Sequence, residues 1–110
     1  MKKTMQKTPA QIHSEATAAA KDAVKEFREK HGEPLYCGFA WVKIRPARGS
    51  FVTYMKKMYI GHKSDSGGYI IPNPSGDYTQ SMLIKEAGAD AYAQVLRKYN
   101  IDAYTQSRAD

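Results

Sequence analysis

The sequence predicts a single small α+β domain, with elements in the order α-β-α-β-α-β and a three-stranded sheet packed by helices. Three observations favour this fold. The chain has 110 residues, enough for one modest core. Hydrophobic residues make up 42% of it, which is typical of a folded chain. Segments with helical spacing of apolar residues alternate with segments of strand character, and turn-forming residues separate them.

The first helix is predicted to begin at Pro9. Thr8 can cap it, proline suits the first helical position, and Gln11 lies where the partner of a capping box belongs. Gly32 can end the helix in the left-handed conformation. Apolar residues recur at spacings of three and four from Ile12 onward, so one narrow face of this helix is expected to be buried.

The first strand is predicted from Leu35 to Arg45. Both alternating faces of this segment are apolar, which indicates a central or covered strand. On that interpretation Phe39 and Trp41 belong to the core.

The second helix is predicted over 51–59, with Ser50 as its cap and Gly61 as its stop. Residues 62–68 have the composition of a loop. A short second strand follows over 69–71, and the turn-rich stretch 72–77 ends it.

The third helix is predicted to run from Ser81 or Met82 to Tyr99, and a terminal strand from Ile101 to Gln106. A small sheet of this kind has two edges and a thin core. Pairing of two copies through the first helix or through an edge strand would bury more surface, so we expect a homo-oligomer, most simply a dimer.

The positive charge of the chain is concentrated in one segment. The net charge is +6, from 17 Lys and Arg against 11 Asp and Glu. Between Pro34 and Ser64 there is no acid, and this segment holds six cations, Lys43, Arg45, Arg48, Lys56, Lys57 and Lys63. A concentrated field of one sign favours anionic partners.

The first candidate anion site is the turn 45–50. A helix N-terminus offers unpaired N–H groups, Gly49 permits close approach of a ligand, Ser50 can donate its hydroxyl, and Arg45 and Arg48 can bind phosphate or carboxylate in a bidentate manner. The spacing is not that of a phosphate-binding P-loop. An ordinary turn with solvated arginines is the alternative.

Two further segments contribute candidate anion ligands. Lys63 and Ser64 begin a Gly-rich loop that can wrap an anion with backbone N–H groups, or can be a simple connection. Arg108 lies after the terminal strand, where it can join Arg45 or Arg48 at the sheet edge, or can belong to a solvated chain end. His62 and Asp65 leave a nuclease open, although no rigid catalytic constellation is present.

Aromatic residues offer a second kind of contact. Tyr78 and Tyr104 are the candidates for stacking on nucleic-acid bases, although the chain lacks the signature of RNA-recognition domains. The three histidines are scattered and Cys37 is the only cysteine, so we predict no metal site and no cofactor.

Several short motifs together resemble a group of small uncharacterised proteins predicted in tailed-bacteriophage genomes. The resemblance covers residues 32–110 and departs from the pattern at the prolines of 72–74, where related sequences continue as a strand. It implies an infected bacterial cytoplasm as the setting and implies no particular mechanism. The motifs are Gly38-Phe39-Ala40-Trp41-Val42, Ser50-Phe51, Lys63-Ser64, Gly67-Gly68, Gln80-Ser81, Lys85-Glu86-Ala87 and Ser107-Arg108-Ala109-Asp110.

Cytoplasmic location is also predicted from the start of the chain. Met1-Lys2-Lys3 is followed by polar residues and not by the apolar stretch of a signal peptide. We predict a flexible N-terminal segment over 1–7 and a single domain over 8–110.

The function predicted from these observations is non-enzymatic binding of an anionic ligand: a nucleotide, a nucleotide signal or a short nucleic acid. In an infected cell such binding would counter host defence. The alternative is a protein-binding inhibitor or assembly factor that docks on a host or phage protein, because tyrosine-rich surfaces suit protein interfaces. No membrane partner is expected.

Overall fold

A computed structural model describes residues 7–110. The prediction of a flexible segment over 1–7 falls mostly on residues outside this range. The described chain is one domain of three helices and four strands, α1 (Pro9–His31), β1 (Gly38–Ile44), α2 (Ser50–Lys57), β2 (His62–Lys63), β3 (Tyr69–Pro72), α3 (Met82–Lys98) and β4 (Ala103–Ala109).

The strands form one antiparallel sheet in the order β2-β3-β1-β4. The α+β class and the central position of β1 are confirmed. The prediction of three strands is wrong by one, because His62 and Lys63 pair with Ile70 and Tyr69 and form a fourth strand. Two residues are too few to give a strand periodicity, so the sequence pattern shows only a loop there.

The core lies on one face of the sheet. Ala40, Val42 and Ile44 of β1 are buried there against residues from all three helices. Helix α3 packs on α1, β1 and β4. Because all three helices contribute to this single core, the opposite face of the sheet remains open over the described residues.

Local signals set the start of α1 as predicted. The Thr8 Oγ1 accepts a hydrogen bond from the Gln11 N–H at 3.1 Å, and the Gln11 Oε1 accepts one from the Thr8 N–H at 2.9 Å. Both halves of the capping box are therefore present.

The start of α2 differs from the prediction by one residue. Gly49 is the N-cap, with φ 108° and ψ 172°, and no side chain caps the helix. This positive φ favours glycine. Ser50 is already helical, so its assignment as the cap is wrong and its hydroxyl is not used for capping.

The turn-rich segment after β3 is fastened to α1 by one arginine. The Arg28 guanidinium donates to both carboxylate oxygens of Asp77 at 2.7 and 2.6 Å, and its Nε donates to Glu33 at 2.9 Å. The Thr79 hydroxyl donates to Glu33 as well. Hydrogen bonding by Arg28 holds the pKa values of Asp77 and Glu33 below their ordinary values.

We expect Asp77→Asn to lower the free energy of unfolding at neutral pH by about 1 kcal/mol, since one charge-assisted hydrogen-bonded pair is lost at a partly exposed site. The folded-state pKa of Asp77 is depressed, so its contribution is fully present above its ordinary pKa of 3.8. That contribution disappears as the pH falls through the lower folded-state value. Urea unfolding of both proteins across this pH range measures the difference.

The matched control for this prediction is Glu26→Gln on α1, the helix that carries Arg28. The Glu26 carboxylate lies 3.9 Å from the Lys30 ammonium and both side chains are exposed. We expect almost no change in stability for the control at any pH. A stability loss in Asp77→Asn that stayed constant down to low pH would contradict the assigned role of the carboxylate.

Candidate functional site

The residues of the turn 45–50 lie together as the sequence predicts. Arg45, Arg48, Gly49 and Ser50 line a cleft of about 420 Å³ at the start of α2. Asp102 lines the same cleft, and its exposed carboxylate competes with any incoming anion. Anion binding in this cleft stays a prediction.

The other predicted anion ligands lie elsewhere. Lys63 is on β2 and lines a separate cleft with Lys56 and His62. Ser64 begins the following turn, where its hydroxyl lies 3.0 Å from that of Ser66. Neither residue lines the cleft at the start of α2.

Arg108 does not join Arg45 and Arg48. It pairs with Phe39, at the far end of β1 from Arg45. Six residues of extended chain separate these two positions along β1, a distance of about 20 Å. The expectation that these cations meet in one place is therefore wrong, because β4 runs antiparallel to β1 and carries Arg108 away from the turn.

The open face of the sheet gathers aromatic and basic side chains from separate parts of the chain. Residues that pair across antiparallel strands share a face, and the pairing places Phe39 beside Arg108, Trp41 beside Gln106, and Lys43 beside Tyr104. The same face continues through Ile70 and Pro72 of β3 and through His62 of β2. None of the four described strands contains an Asp or Glu.

Phe39 is the most accessible aromatic ring of this face. Its side chain is 45% exposed. The Lys85 Nζ lies 4.9 Å from the ring centroid and the Arg108 guanidinium carbon 5.9 Å. Lys85 also donates to the Gly38 carbonyl at 2.9 Å, which holds the ammonium beside the ring. Two cations thus lie close to one exposed aromatic ring.

Trp41 and Tyr104 complete the aromatic part of the face. The Trp41 indole N–H donates to the Gln106 Oε1 at 2.9 Å, so the ring is oriented by β4. Both aromatic side chains are half-buried. Phe39 and Trp41 lie two residues apart on one strand, so their Cα atoms are about 7 Å apart and their side chains are on the same face. This spacing permits a separate flat ligand at each ring.

A groove of about 480 Å³ runs over this surface. Its lining is mostly apolar at the centre and basic at one end. The residues that line it are Phe39, Ala40, Trp41, His62, Ile70, Pro72, Asn73, Lys85 and Arg108.

Lys43 occupies the other end of the open face and is covered. It is only 3% exposed, and its Nζ donates to the Ser66 hydroxyl at 2.9 Å. The turn over 64–68 lies on its stem. The charge of Lys43 is therefore held beneath this turn, although it counts toward the basic segment of the sequence.

The structure corrects the assignment of the aromatics. Phe39 was expected in the core and is instead exposed, while Trp41 is only partly covered. The sequence contains a signal for this, because Lys43 lies two residues after Trp41 and therefore on the same face as Phe39 and Trp41. A lysine on that face marks it as the side without a helix. Tyr104 lies on the open face, whereas Tyr78 is fully exposed in the segment before α3.

Within residues 7–110, no three His, Cys, Asp or Glu side chains are grouped so that they could hold a metal ion. In the same range no helix is long and apolar enough to cross a membrane. Comparison of the chain with protein-family models, with curated proteins and with solved structures found no match. The relation to phage proteins therefore stays a prediction.

Proposed function

We propose that this protein binds single-stranded nucleic acid without catalysing a reaction, and that the open face of its sheet is the binding surface. The observation that carries the proposal is the exposed Phe39 ring with the Lys85 and Arg108 cations close beside it. A base can stack on such a ring while its flanking phosphates contact the cations. This arrangement is the combination that single strands require.

The electrostatics of the sheet support the same ligand. On the open face the positive charge comes from Arg108 and the neighbouring Lys85, and no strand of the described sheet contains an acid, so a phosphate chain meets no repulsive carboxylate along the strands. A duplex fits less well, because its bases are stacked inside and cannot reach Phe39 and Trp41. Shape and charge together therefore favour an unpaired strand.

The resemblance to phage proteins supplies the setting that we propose. In an infected bacterial cytoplasm, a protein that covers single strands or sequesters a nucleotide signal would counter host defence. A mononucleotide shares the base and phosphate of the strand, and it is therefore a competitor to include in the test.

Titration with a labelled single-stranded oligonucleotide at several salt concentrations tests the proposal. We expect Arg108→Ala to weaken binding and to make the salt dependence shallower by about 0.7 in the slope of log K against log salt, as for one lost phosphate contact. Lys25→Ala on the exposed side of α1 removes the same charge from the helical layer and should leave the slope unchanged. Fluorescence anisotropy provides both values.

A second comparison separates the open face from the turn predicted from the sequence. Arg48→Ala removes a cation from the cleft at the start of α2, which lies beyond the end of β1 opposite to the end that pairs with Arg108. Loss of binding in Arg48→Ala with none in Arg108→Ala would move the site to that turn. Absence of binding even at low salt would remove the proposal altogether.

Protein docking is a second candidate function, favoured by one observation. Leu35 is 92% exposed and Tyr36 is 56% exposed, immediately before β1. The Met82 N–H donates to the Tyr36 carbonyl, so this apolar segment lies beside the start of α3, where Leu83 is also exposed. A stoichiometric protein partner that survives nuclease and high salt would favour this function over nucleic-acid binding.

A further inference from the structure

Strand β4 leaves one row of backbone groups free at the edge of the sheet. It is the last strand in the order, with β1 on its only paired side. The Arg45 N–H donates to the Asp102 carbonyl and the Asp110 N–H donates to the Cys37 carbonyl. The even-numbered residues of β4 therefore direct their backbone N–H and C=O groups toward β1. The backbone N–H and C=O groups of Thr105, Ser107 and Ala109 point outward, away from β1.

This edge lacks the features that usually prevent strand pairing. Natural edge strands are short, bulged, or interrupted by proline, lysine or inward charges. The β4 edge has seven residues in unbroken register with β1, and Arg108 is its one charged residue. Ala103 is the exception, because its carbonyl already accepts a hydrogen bond from the Arg97 guanidinium.

The sequence of β4 is complementary to itself. In an antiparallel pair of two β4 strands, the register that overlaps all seven residues places Gln106 opposite Gln106 of the second copy. Thr105 then faces Ser107 of the second copy, and both present outward N–H and C=O groups that form a hydrogen-bonded pair. Tyr104 faces Arg108 of the second copy, and the two arginines lie apart.

We infer that two copies of this chain join through β4 in this register and form one continuous antiparallel sheet. The two-fold axis of such a pair is perpendicular to the sheet, so both open faces lie on the same side. Each Tyr104 ring lies opposite Arg108 of the second copy, and the two form a cross-strand cation–π pair. The inference does not depend on nucleic-acid binding.

Sedimentation equilibrium over a wide range of concentrations tests the pairing in the intact chain. We expect a monomer–dimer equilibrium that Thr105→Pro shifts at least tenfold toward monomer. The N–H of Thr105 points away from β1, so proline there removes an intermolecular donor and leaves the ladder to β1 complete. Thr105→Val keeps the N–H and the strand propensity, and it should pair like the original chain.

A cysteine at position 106, where the two-fold axis passes, tests the register independently. This experiment decides whether β4 pairs with β4 if Thr105→Pro does not fold. In a Cys37→Ser background, Gln106→Cys brings two cysteines together with their Cα atoms about 4.5 Å apart, within disulfide reach. Ser107→Cys leaves them about 8–9 Å apart in the same register, beyond that reach. Mild oxidation should therefore cross-link the first variant and not the second.

Three results would overturn the inference. The chain could be monomeric at every concentration, the dimer could be unaffected by Thr105→Pro, or Ser107→Cys could cross-link as readily as Gln106→Cys. If the β4 edge pairs with a strand of another protein instead, this chain alone will be monomeric and will form complexes only with that protein, which also overturns the inference.

Discussion

Replacing Phe39 by Ala is expected to weaken binding of a single-stranded oligonucleotide by about 10- to 100-fold. Stacking of a base on an aromatic ring contributes about 1–3 kcal/mol, and each 1.4 kcal/mol changes affinity tenfold. Phe39 is 45% exposed with Lys85 and Arg108 beside its ring, so part of the ring is accessible to a base. Fluorescence anisotropy at one fixed salt concentration measures the loss.

The salt dependence of this variant distinguishes stacking from charge. Phe39→Ala removes no cation, so the slope of log K against log salt should stay as in the original chain while the affinity falls. Arg108→Ala should change that slope. The two variants affect neighbouring atoms and therefore separate the base contact from the phosphate contact.

Two further substitutions serve as controls for Phe39→Ala. Phe39→Trp keeps a stacking surface and should retain most of the affinity. Tyr78→Ala removes an aromatic ring that is fully exposed and lies off the sheet, and it should leave binding unchanged. Normal binding by Phe39→Ala together with weak binding by Tyr78→Ala would contradict the proposed surface and would return the stacking role to Tyr78.

The parts of the fold that depend on neighbouring residues could be predicted from the sequence. The start of α1 is determined by Thr8, Pro9 and Gln11, which lie within one turn of the chain and act through local hydrogen bonds. The start of α3 follows from Ser81 in the same way, since its hydroxyl accepts from the Ile84 N–H. Such signals are complete within a short segment.

Features that depend on strand order could not be predicted in this way. The sequence contains Arg108 and Arg45, but only the antiparallel pairing of β4 with β1 determines that they lie at opposite ends of the sheet. The strand β2 likewise exists only because β3 returns beside it. Both outcomes are set by long-range hydrogen bonding, which leaves no periodic pattern in a short segment.

The position of Phe39 is an intermediate case. Its segment is apolar on both faces, and burial of both faces was a reasonable inference from hydropathy alone. The two faces differ in kind, however. One face carries the small or aliphatic residues Ala40, Val42 and Ile44, and the other carries Phe39 and Trp41 together with Lys43. The number of helices available to cover a sheet decides which face is buried, and here all three pack on one side.

Leu96→Ala should destabilise the folded protein by about 2–5 kcal/mol. Leu96 lies on α3 with no exposed surface, in the core cluster beneath β1 and β4. Truncation removes buried apolar contacts and leaves a cavity. Because a domain of this size has a total stability of about 5–15 kcal/mol, the loss is a large fraction of it. Urea unfolding followed by circular dichroism gives the difference directly.

Leu83→Ala is the matched control, with the same substitution on the same helix at a residue that is 38% exposed. It should cost less than about 1 kcal/mol, since less apolar surface is lost and water fills the gap. Equal losses in the two variants would contradict the placement of Leu96 in the core and of Leu83 at the surface of α3. Below its unfolding temperature, Leu96→Ala should still bind an oligonucleotide like the original chain, because Leu96 and Phe39 lie on opposite sides of the sheet. Stability and binding can then be altered separately, which is the expected behaviour when helices occupy one face of a sheet and a ligand occupies the other.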